Sequence, residues 1–371
     1  MRVALVVPGG VDRSGEYRII PALVALIGRL SRRHDVQVFA LRQEAQPCDW
    51  QLAGAHIHNI GFRLTRTRAI RAIRALHGVS RFDLVHAIWS GSCGLVAVAA
   101  GALLRIPSLV HVAGGELVAL PEIGYGGRLT WRGRVREQIT LRMASAVTAP
   151  SAPTIGALAA LGVSAQRVPL GVDLSVWPPR EPVPRDPGKS ARLIHVASLN
   201  RVKDQATLLR ALAVLTQTGV ECHLDIVGED TRAGEVQALA RELGLSDRVA
   251  FHGFLPQRLL RPLVEIAHLL VVSSRHEAGE LVTLEAAVAG VPTVGTSVGH
   301  VAEWAPQAAV AVPVGDPAAL AGAIARLLAD EGLRLRIARE ALHRAILEDA
   351  DHTAQSFQAI YRQLTGAGRE V

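Results

Sequence analysis

Short runs of consecutive apolar residues alternate with longer stretches of helical periodicity along the whole chain. In the first half the runs read RVALVV, DVQVFA, DLVHA, PSLVHV, SAVTA and QRVPL; in the second they read RLIHVA, CHLDIV, RVAFHG, LLVVS and PTVGT. Strands that are apolar on both faces and separated by helices belong to parallel sheets covered on both sides. The pattern breaks at WPPREPVPRDPGKSA (Trp177–Ala191), where five prolines sit among charged residues and exclude interior helix or strand. This predicts an α/β chain of two doubly wound domains, 1–176 and 192–348, joined by a linker over 177–191. A final segment, 349–371, is amphipathic: Phe357, Ile360, Tyr361 and Leu364 share one helical face, which predicts a helix packing back on the first domain. Two such domains are expected to face each other across a cleft, with the chemistry in loops that follow strands.

Composition narrows the functional classes. A length of 371 residues suits two cores rather than one. With 49% hydrophobic and 20% charged residues the chain is globular, and 4% aromatics leave few rings to stack nucleic-acid bases. Forty Lys and Arg against 33 Asp and Glu, a net charge of +7, favour anionic partners. Cys48, Cys93 and Cys222 are distant from one another and odd in number, so neither a disulfide framework nor a zinc knuckle is expected. The longest apolar run, GLVAVAAGALL, falls short of the roughly 18 residues that cross a bilayer. The expected location is the cytoplasm, with at most peripheral attachment to the inner face of a membrane. The basic helix RTRAIRAIRALHG places Arg68, Arg71 and Arg74 on one face, and GRLTWRGRVREQITLR adds further arginines around Trp131. These suit an anionic membrane surface, or form an ordinary solvated face.

The segment SSRHEAGELVTLEAAVAGVP (Ser273–Pro292) concentrates the candidate chemistry. It follows the strand LLVVS and predicts a helix from near Glu280 to Ala289, stopped by Gly290. The amides of Gly279, Glu280, Leu281 and Val282 would open that helix and form an anion site. Glu277 stands just before it and Glu285 about one turn inside; carboxylates at those places accept hydrogen bonds from hydroxyl pairs on either side of a bound anion. The alternative is that the acids only complement the helix dipole. After the strand RLIHVA come Ser198, Arg201 and Lys203, where bases near a helix start either meet an anion or are simply solvated. Gly9 and Gly10 after the first strand permit close backbone approach to a ligand or serve a tight turn. No metal is expected: the only D-x-D, Asp349–Ala350–Asp351, lies in the C-terminal tail, and the 14 histidines show no HExxH spacing.

The two glutamates eight residues apart, followed by AAVAGVPTV, resemble the signature of the retaining GT-B glycosyltransferases of family 4. HVASLNRVKDQATLLRAL, LDIVGED, LGLSDRVAFHGFL and RVPLGVDLSVWPP resemble further segments of that family in the same order. The resemblance implies a GT-B fold of two Rossmann-like domains. It also implies transfer of a hexose from a UDP- or GDP-sugar to an acceptor hydroxyl with retention, without a cofactor or metal. The nucleotide sugar is the expected co-substrate and a glycan or lipid-linked molecule the acceptor, in cell-surface polysaccharide or glycolipid assembly; no nucleic acid is expected. Glu277 would contact the donor sugar, Glu285 the ribose, and Lys203, assisted by Arg201, the diphosphate. Gly9 and Gly10 would lie beneath the diphosphate and sugar, and the backbone from His252 to Phe254 beside the base. Gly114, Gly115 and Glu116 would line the acceptor side together with His111, for which a buried structural place is the competing reading. Three positions depart from the family pattern: Ala113 where many relatives carry histidine, Ser198 where many carry arginine, and Glu280 near the diphosphate. The alternatives are a sugar-nucleotide-binding GT-B protein without transfer activity and a GT-B epimerase.

Overall fold

A computed structural model describes residues 1–186 and 188–366. The chain divides into two compact units. One comprises Met1–Gly171 with the C-terminal stretch from Glu348, and the other Val172–Leu347.

The first unit holds a sheet of β1 (Arg2–Val7), β2 (Asp35–Ala40), β3 (Cys48–Leu52), β4 (Ala55–Asn59), β5 (Leu84–Ile88), β6 (Ser108–His111), β7 (Ala146–Ala149) and β8 (Gln166–Arg167). The spatial order is β3-β4-β2-β1-β5-β6-β7-β8, parallel except for the β3–β4 edge pair. Its helices are α1 (Pro21–Ser31), α2 (Thr65–Val79), α3 (Leu95–Leu104), α4 (Trp131–Met143) and α5 (Ala152–Ala160). β1 is buried from Val3 to Val7 because neighbours flank both its edges and apolar layers cover both its faces. Alternate residues serve the two layers: Val3, Leu5 and Val7 meet Leu23 and Leu26 of α1, while Ala4 and Val6 share the opposite core with Ala69 and Ile73 of α2 and Val96 of α3.

The second unit repeats the plan with β9 (Ala191–Val196), β10 (Cys222–Val227), β11 (Val249–Gly253), β12 (Leu269–Val272), β13 (Thr293–Thr296) and β14 (Ala309–Val312), in the order β11-β10-β9-β12-β13-β14 and parallel throughout. Its helices are α6 (Gln205–Gln217), α7 (Glu235–Glu242), α8 (Gln257–Glu265), α9 (Leu281–Val288), α10 (Gly299–Trp304), α11 (Pro317–Ala329) and α12 (Glu331–Leu347).

The last helix, α13 (Ala350–Thr365), belongs to the first unit. Phe357, Ile360 and Tyr361 are buried in the same core as α1, and Tyr361 Oη lies 2.7 Å from His86 Nδ1 under the sheet. The D-x-D acids serve this docking: Asp349 accepts the His352 amide at 2.8 Å as N-cap, and Asp351 pairs with Arg29 at 2.8 Å. Residues 367–371 of the expected final segment lie outside the described residues.

The described residues of the segment expected as a Pro-rich linker, 177–191, make contacts within the second unit. Trp177 is 1% exposed in that unit's core. Arg334, itself buried, donates to the Val183 carbonyl at 2.7 Å, and the Arg185 amide donates to Glu331 Oε1 at 2.7 Å. Prolines keep the segment out of the sheet, but its carbonyls remain good acceptors. Gly290, the predicted helix stop, has φ +76°, and a Cβ there would come within 2.9 Å of the Arg180 carbonyl. The left-handed helix end and the passing segment each require glycine.

Candidate functional site

In each sheet the chain leaves a central strand in one direction and returns to the other side of it. In the second sheet this reversal falls between β9 and β12, so the loops after these two strands open beside each other at the carboxyl ends, where doubly wound sheets bind ligands. Those loops are 197–204 and 273–280, which hold Ser198, Arg201 and Lys203 on one side and Glu277, Gly279 and Glu280 on the other.

Four contacts tie the two loops together. The Arg275 amide donates to the Val202 carbonyl at 2.7 Å, and Ser273 Oγ donates to the Lys203 carbonyl at 2.8 Å. Arg275 Nε donates to Asp204 Oδ2 at 3.1 Å, and Lys203 Nζ donates to Glu277 Oε1 at 2.5 Å. Ser274 Oγ donates to the same Glu277 oxygen at 2.6 Å. Asp204 sits at φ +47° and caps α6 through Thr207, so the helix after Lys203 starts sharply and turns the lysine back toward the second loop. Below them, His195 is buried between β9 and β12: its Nδ1 donates to the Val271 carbonyl at 2.9 Å, and Gln205 Nε2 donates to its other ring nitrogen at 3.1 Å. Burial pulls the His195 pKa down to about 4, so the imidazole is neutral and acts as a rigid strut.

Helix α9 starts at Leu281 with Glu280 at its N-cap position, and no side chain caps it. Gly279, Leu281 and Val282 stand at this opening, half-buried. Lys203 and Glu277 are only partly exposed, at 24% and 13% of their side chains. An ammonium has three donors, and one reaches Glu277. The combination of that ammonium with the amides of a helix N-terminus can hold an anion carrying more than one charge.

Glu285, one turn into α9, is 5% exposed and accepts a hydrogen bond from Gln257 Nε2 at 2.8 Å. Burial pushes its pKa up to about 7, partly opposed by that bond. Gln257, the first residue of α8, has no mark in the sequence that distinguishes it from any helix-start amide; only the fold brings it to Glu285.

Glu280 departs from its expected place on the donor. Its Oε1 accepts from the Val301 amide at 3.1 Å and Thr283 Oγ1 at 3.0 Å, and its Oε2 from the His300 amide at 3.1 Å. The carboxylate therefore satisfies the start of α10, and its charge is shared between the His300 and Val301 amides and the Thr283 hydroxyl. Burial raises its pKa, with His300 opposing that rise and Glu277 adding to it. Gly299 is the counterpart, since a Cβ there would overlap Glu280 Oε2. Replacing Glu280 with alanine strands two buried amides; urea unfolding is expected to show a loss of about 2 kcal/mol.

The remaining second-unit candidates are more peripheral. Ser198 is exposed, and its carbonyl accepts from Gln205 Nε2 at 3.2 Å; Arg201 is exposed. The His252 ring is committed to Asp225 at 2.8 Å, and Phe254 is 50% exposed at the end of β11.

In the first unit the reversal lies between β1 and β5. Gly9 and Gly10 follow β1. At Gly10, φ is +76° and a Cβ would lie 2.5 Å from Ile20, so folding of the loop alone demands glycine there. His111 belongs to the core: it is 0% exposed, bonded to Thr148 Oγ1 at 2.9 Å and packed edge-on against Phe357. It is the last residue of β6, its ring lies within the core layer, and burial pulls its pKa down to about 3. It is not an acceptor contact.

Glu116 is also buried. Its Oε1 accepts the Ser90 amide at 2.9 Å, while Ser90 Oγ donates to Glu137 Oε1 at 2.5 Å. Burial raises both carboxyls, Glu137 to about 7. This network fixes the turn after β5, where Trp89 holds φ +74°, a conformation unfavourable for a bulky residue. Gly115 is required by packing, since a Cβ would lie 2.4 Å from Tyr125 Oη, and Gly114 lies close under the Trp89 ring. Trp89 itself helps line a cavity of about 600 Å³ at the carboxyl end of the first sheet, with Pro8, Arg42, Leu64, Arg66 and Ser92 among its walls. No local signal in the sequence marks Trp89, Arg42 and Arg66 as neighbours at this place. On α2, Arg68, Arg71 and Arg74 are exposed opposite the buried Ala69 and Ile73. Among the described residues no helix is long and apolar enough to cross a membrane. One group of possible metal-ligand atoms, from Asp49, His56 and His58, lies on the edge strands β3 and β4, away from both strand reversals.

Residues 181–344 match the family model for glycosyl transferases group 1, and residues 20–171 match a glycosyl transferase 4-like domain. The chain is 30% identical over 402 residues to a D-inositol 3-phosphate glycosyltransferase of Thermomonospora curvata, covering 97% of this chain and 92% of that protein. Alignments with two further proteins of that name span 51% and 47% of their length. In fold the chain is similar to a sucrose-phosphate synthase from Thermosynechococcus elongatus, with a TM-score of 0.81 and 21% identity over 99% of this chain and 100% of that one. It is similar also to Anabaena HepE solved with UDP-glucose, with a TM-score of 0.75 and 19% identity over 98% of this chain and 100% of that one.

Proposed function

Since the chain belongs to the glycosyl transferases group 1 family and is a glycosyltransferase of GT-B type, we propose that it moves a hexose from a UDP-sugar to an acceptor hydroxyl with retention at the anomeric carbon. The observation that carries this reading is the Lys203–Glu277 pair set beside the uncapped start of α9, with the buried Glu285 one turn further in. The diphosphate takes the Lys203 ammonium and the α9 amides. Glu277 holds the sugar through its second oxygen, and Glu285 holds the ribose hydroxyls. As the bond from C1 to the β-phosphate oxygen breaks, Lys203 and the helix start stabilise the charge that develops on the leaving group. The acceptor oxygen bonds to C1 on the same face, and its proton passes to the departing phosphate oxygen.

The UDP-glucose in the Anabaena structure supports a uridine donor. The name of the Thermomonospora relative supports a phosphorylated polyol as the first acceptor to try, and the first-unit cavity with Arg42 and Arg66 has the size and charge to take one. Assembly of cell-surface glycans or glycolipids is the wider setting.

Donor turnover across UDP-, GDP- and ADP-hexoses without added divalent metal, with inositol phosphates as acceptors and the product anomer read by NMR, tests the reading. A preferred UDP-hexose giving a product of unchanged anomeric configuration is expected. A GDP- or ADP-donor corrects the base, an inverted product overturns retention, and tight donor binding without transfer to any acceptor overturns the catalytic assignment of the site.

A further inference from the structure

Helix α4 inverts the usual order of an amphipathic helix. Its inward residues are Gly133, Glu137, Thr140 and Leu141, so the one acid of the helix is buried. Its outward face carries Trp131, Val135, Ile139 and Met143, exposed at 63%, 49%, 44% and 51%. Four-residue spacing places these side chains in one continuous stripe. Arg132 and Arg142 are exposed along the same stripe, and the Arg132 guanidinium lies 5.4 Å from the Trp131 ring. A water-facing apolar stripe of this length is not explained by folding, because nothing in the first core needs it. The charge around it has one sign. Helix α3 packs against both α4 and α2, so the three make one layer on the same face of the first sheet. Helix α2 contains no acid and presents Arg68, Arg71 and Arg74 to solvent.

These observations select among occupants. A second copy packed face to face would set arginines against arginines, a like-charge arrangement that association avoids. Nucleic acid would use the arginines but leave four apolar side chains uncovered. An anionic bilayer surface satisfies both: the stripe enters the boundary between headgroups and acyl chains, an aromatic ring sits at that level, and guanidinium groups reach lipid phosphates.

We propose that the outward face of α4, with the arginines of α2 beside it, docks this protein on membranes rich in anionic lipid. The site uses no donor-binding residue and stands whatever sugar is transferred.

Co-flotation of the full chain with vesicles of phosphatidylcholine alone, or with about a third phosphatidylglycerol, tests it. Binding to the anionic vesicles only, weakened by salt, is expected. The double variant Ile139→Asp, Met143→Ser and the double variant Arg132→Glu, Arg142→Glu are each expected to reduce binding about tenfold or more. Thermal midpoints should hold, because the altered positions are solvent-exposed. Tryptophan emission should shift to the blue on binding in the wild type and much less in Trp131→Phe. The proposal is overturned by equal binding to neutral vesicles, by no binding to anionic ones, or by binding that survives both double variants. A lipid-free dimer that Ile139→Asp dissociates would instead assign the stripe to a second copy.

Discussion

Replacing Lys203 with alanine is expected to lower kcat for sugar transfer about 100- to 1000-fold, the usual cost of deleting one preorganised donor to developing charge. Lys203 Nζ is held 2.5 Å from Glu277 Oε1 by loops tied at the Ser273 and Arg275 contacts. It therefore needs no reorganisation when the leaving phosphate gains charge. A purely structural ion pair predicts something else: loss of the lysine would destabilise the loops and weaken every ligand equally. Affinities separate the two cases. If Lys203 meets the β-phosphate, Lys203→Ala weakens UDP but leaves uridine monophosphate binding nearly unchanged. Glu277→Gln provides the companion measurement, because it removes charge from the proposed sugar contact while keeping an acceptor for Lys203 and Ser274. It should lower kcat for UDP-sugar with little change in UDP affinity. Equal losses for monophosphate, diphosphate and sugar nucleotide in both variants would return the pair to a structural role.

If Glu285 holds the ribose as proposed, Glu285→Ala is expected to weaken nucleotide binding about 10- to 100-fold, the cost of two charge-assisted hydrogen bonds. The pH dependence is more specific. Burial holds the Glu285 carboxyl at about 7 against an ordinary 4.5. A group raised in this way favours folding in its neutral form, and its contribution is complete below pH 4.5 and lost as pH rises through 7. The loss amounts to about 3 kcal/mol. Ribose hydroxyls bond better to the ionised form, so UDP affinity should rise about tenfold between roughly pH 6 and 8 while the stability of the free protein falls. Glu285→Gln should flatten both trends. Calorimetric titrations and urea unfolding at matched pH read the two opposed slopes. Affinity that is flat or falling with pH in the wild type would remove Glu285 from the ribose.

The sequence alone determined the alternation of strands and helices, the two doubly wound sheets, and the Glu277–Glu285 segment with its helix start and its stop at Gly290. These depend on local periodicity and on backbone demands that a glycine or proline states directly. It did not disclose β3, β4 or β14. The first two form an antiparallel edge pair in which polar residues such as Asp49 and Gln51 break the apolar run. The third is a four-residue Ala/Val run, too short for its pattern to tell strand from helix. Nor did it show that 177–191 would be claimed by the second unit, because the reasons, Arg334 and Glu331, lie some 150 positions away.

Within the site the division is the same. Lys203, Glu277 and Glu285 could be put forward as candidates from the chain, but their partners could not. Glu280 looked like an acid facing a diphosphate, and the fold spends it on α10. Glu116 looked like a cleft group beyond a strand end, and burial makes it core; for His111 the buried place was already one of the two readings, and the packing has it. A side chain's chemistry is written in its residue type, whereas its direction and its partner depend on which distant elements the packing brings against it. Tertiary structure alone decided those.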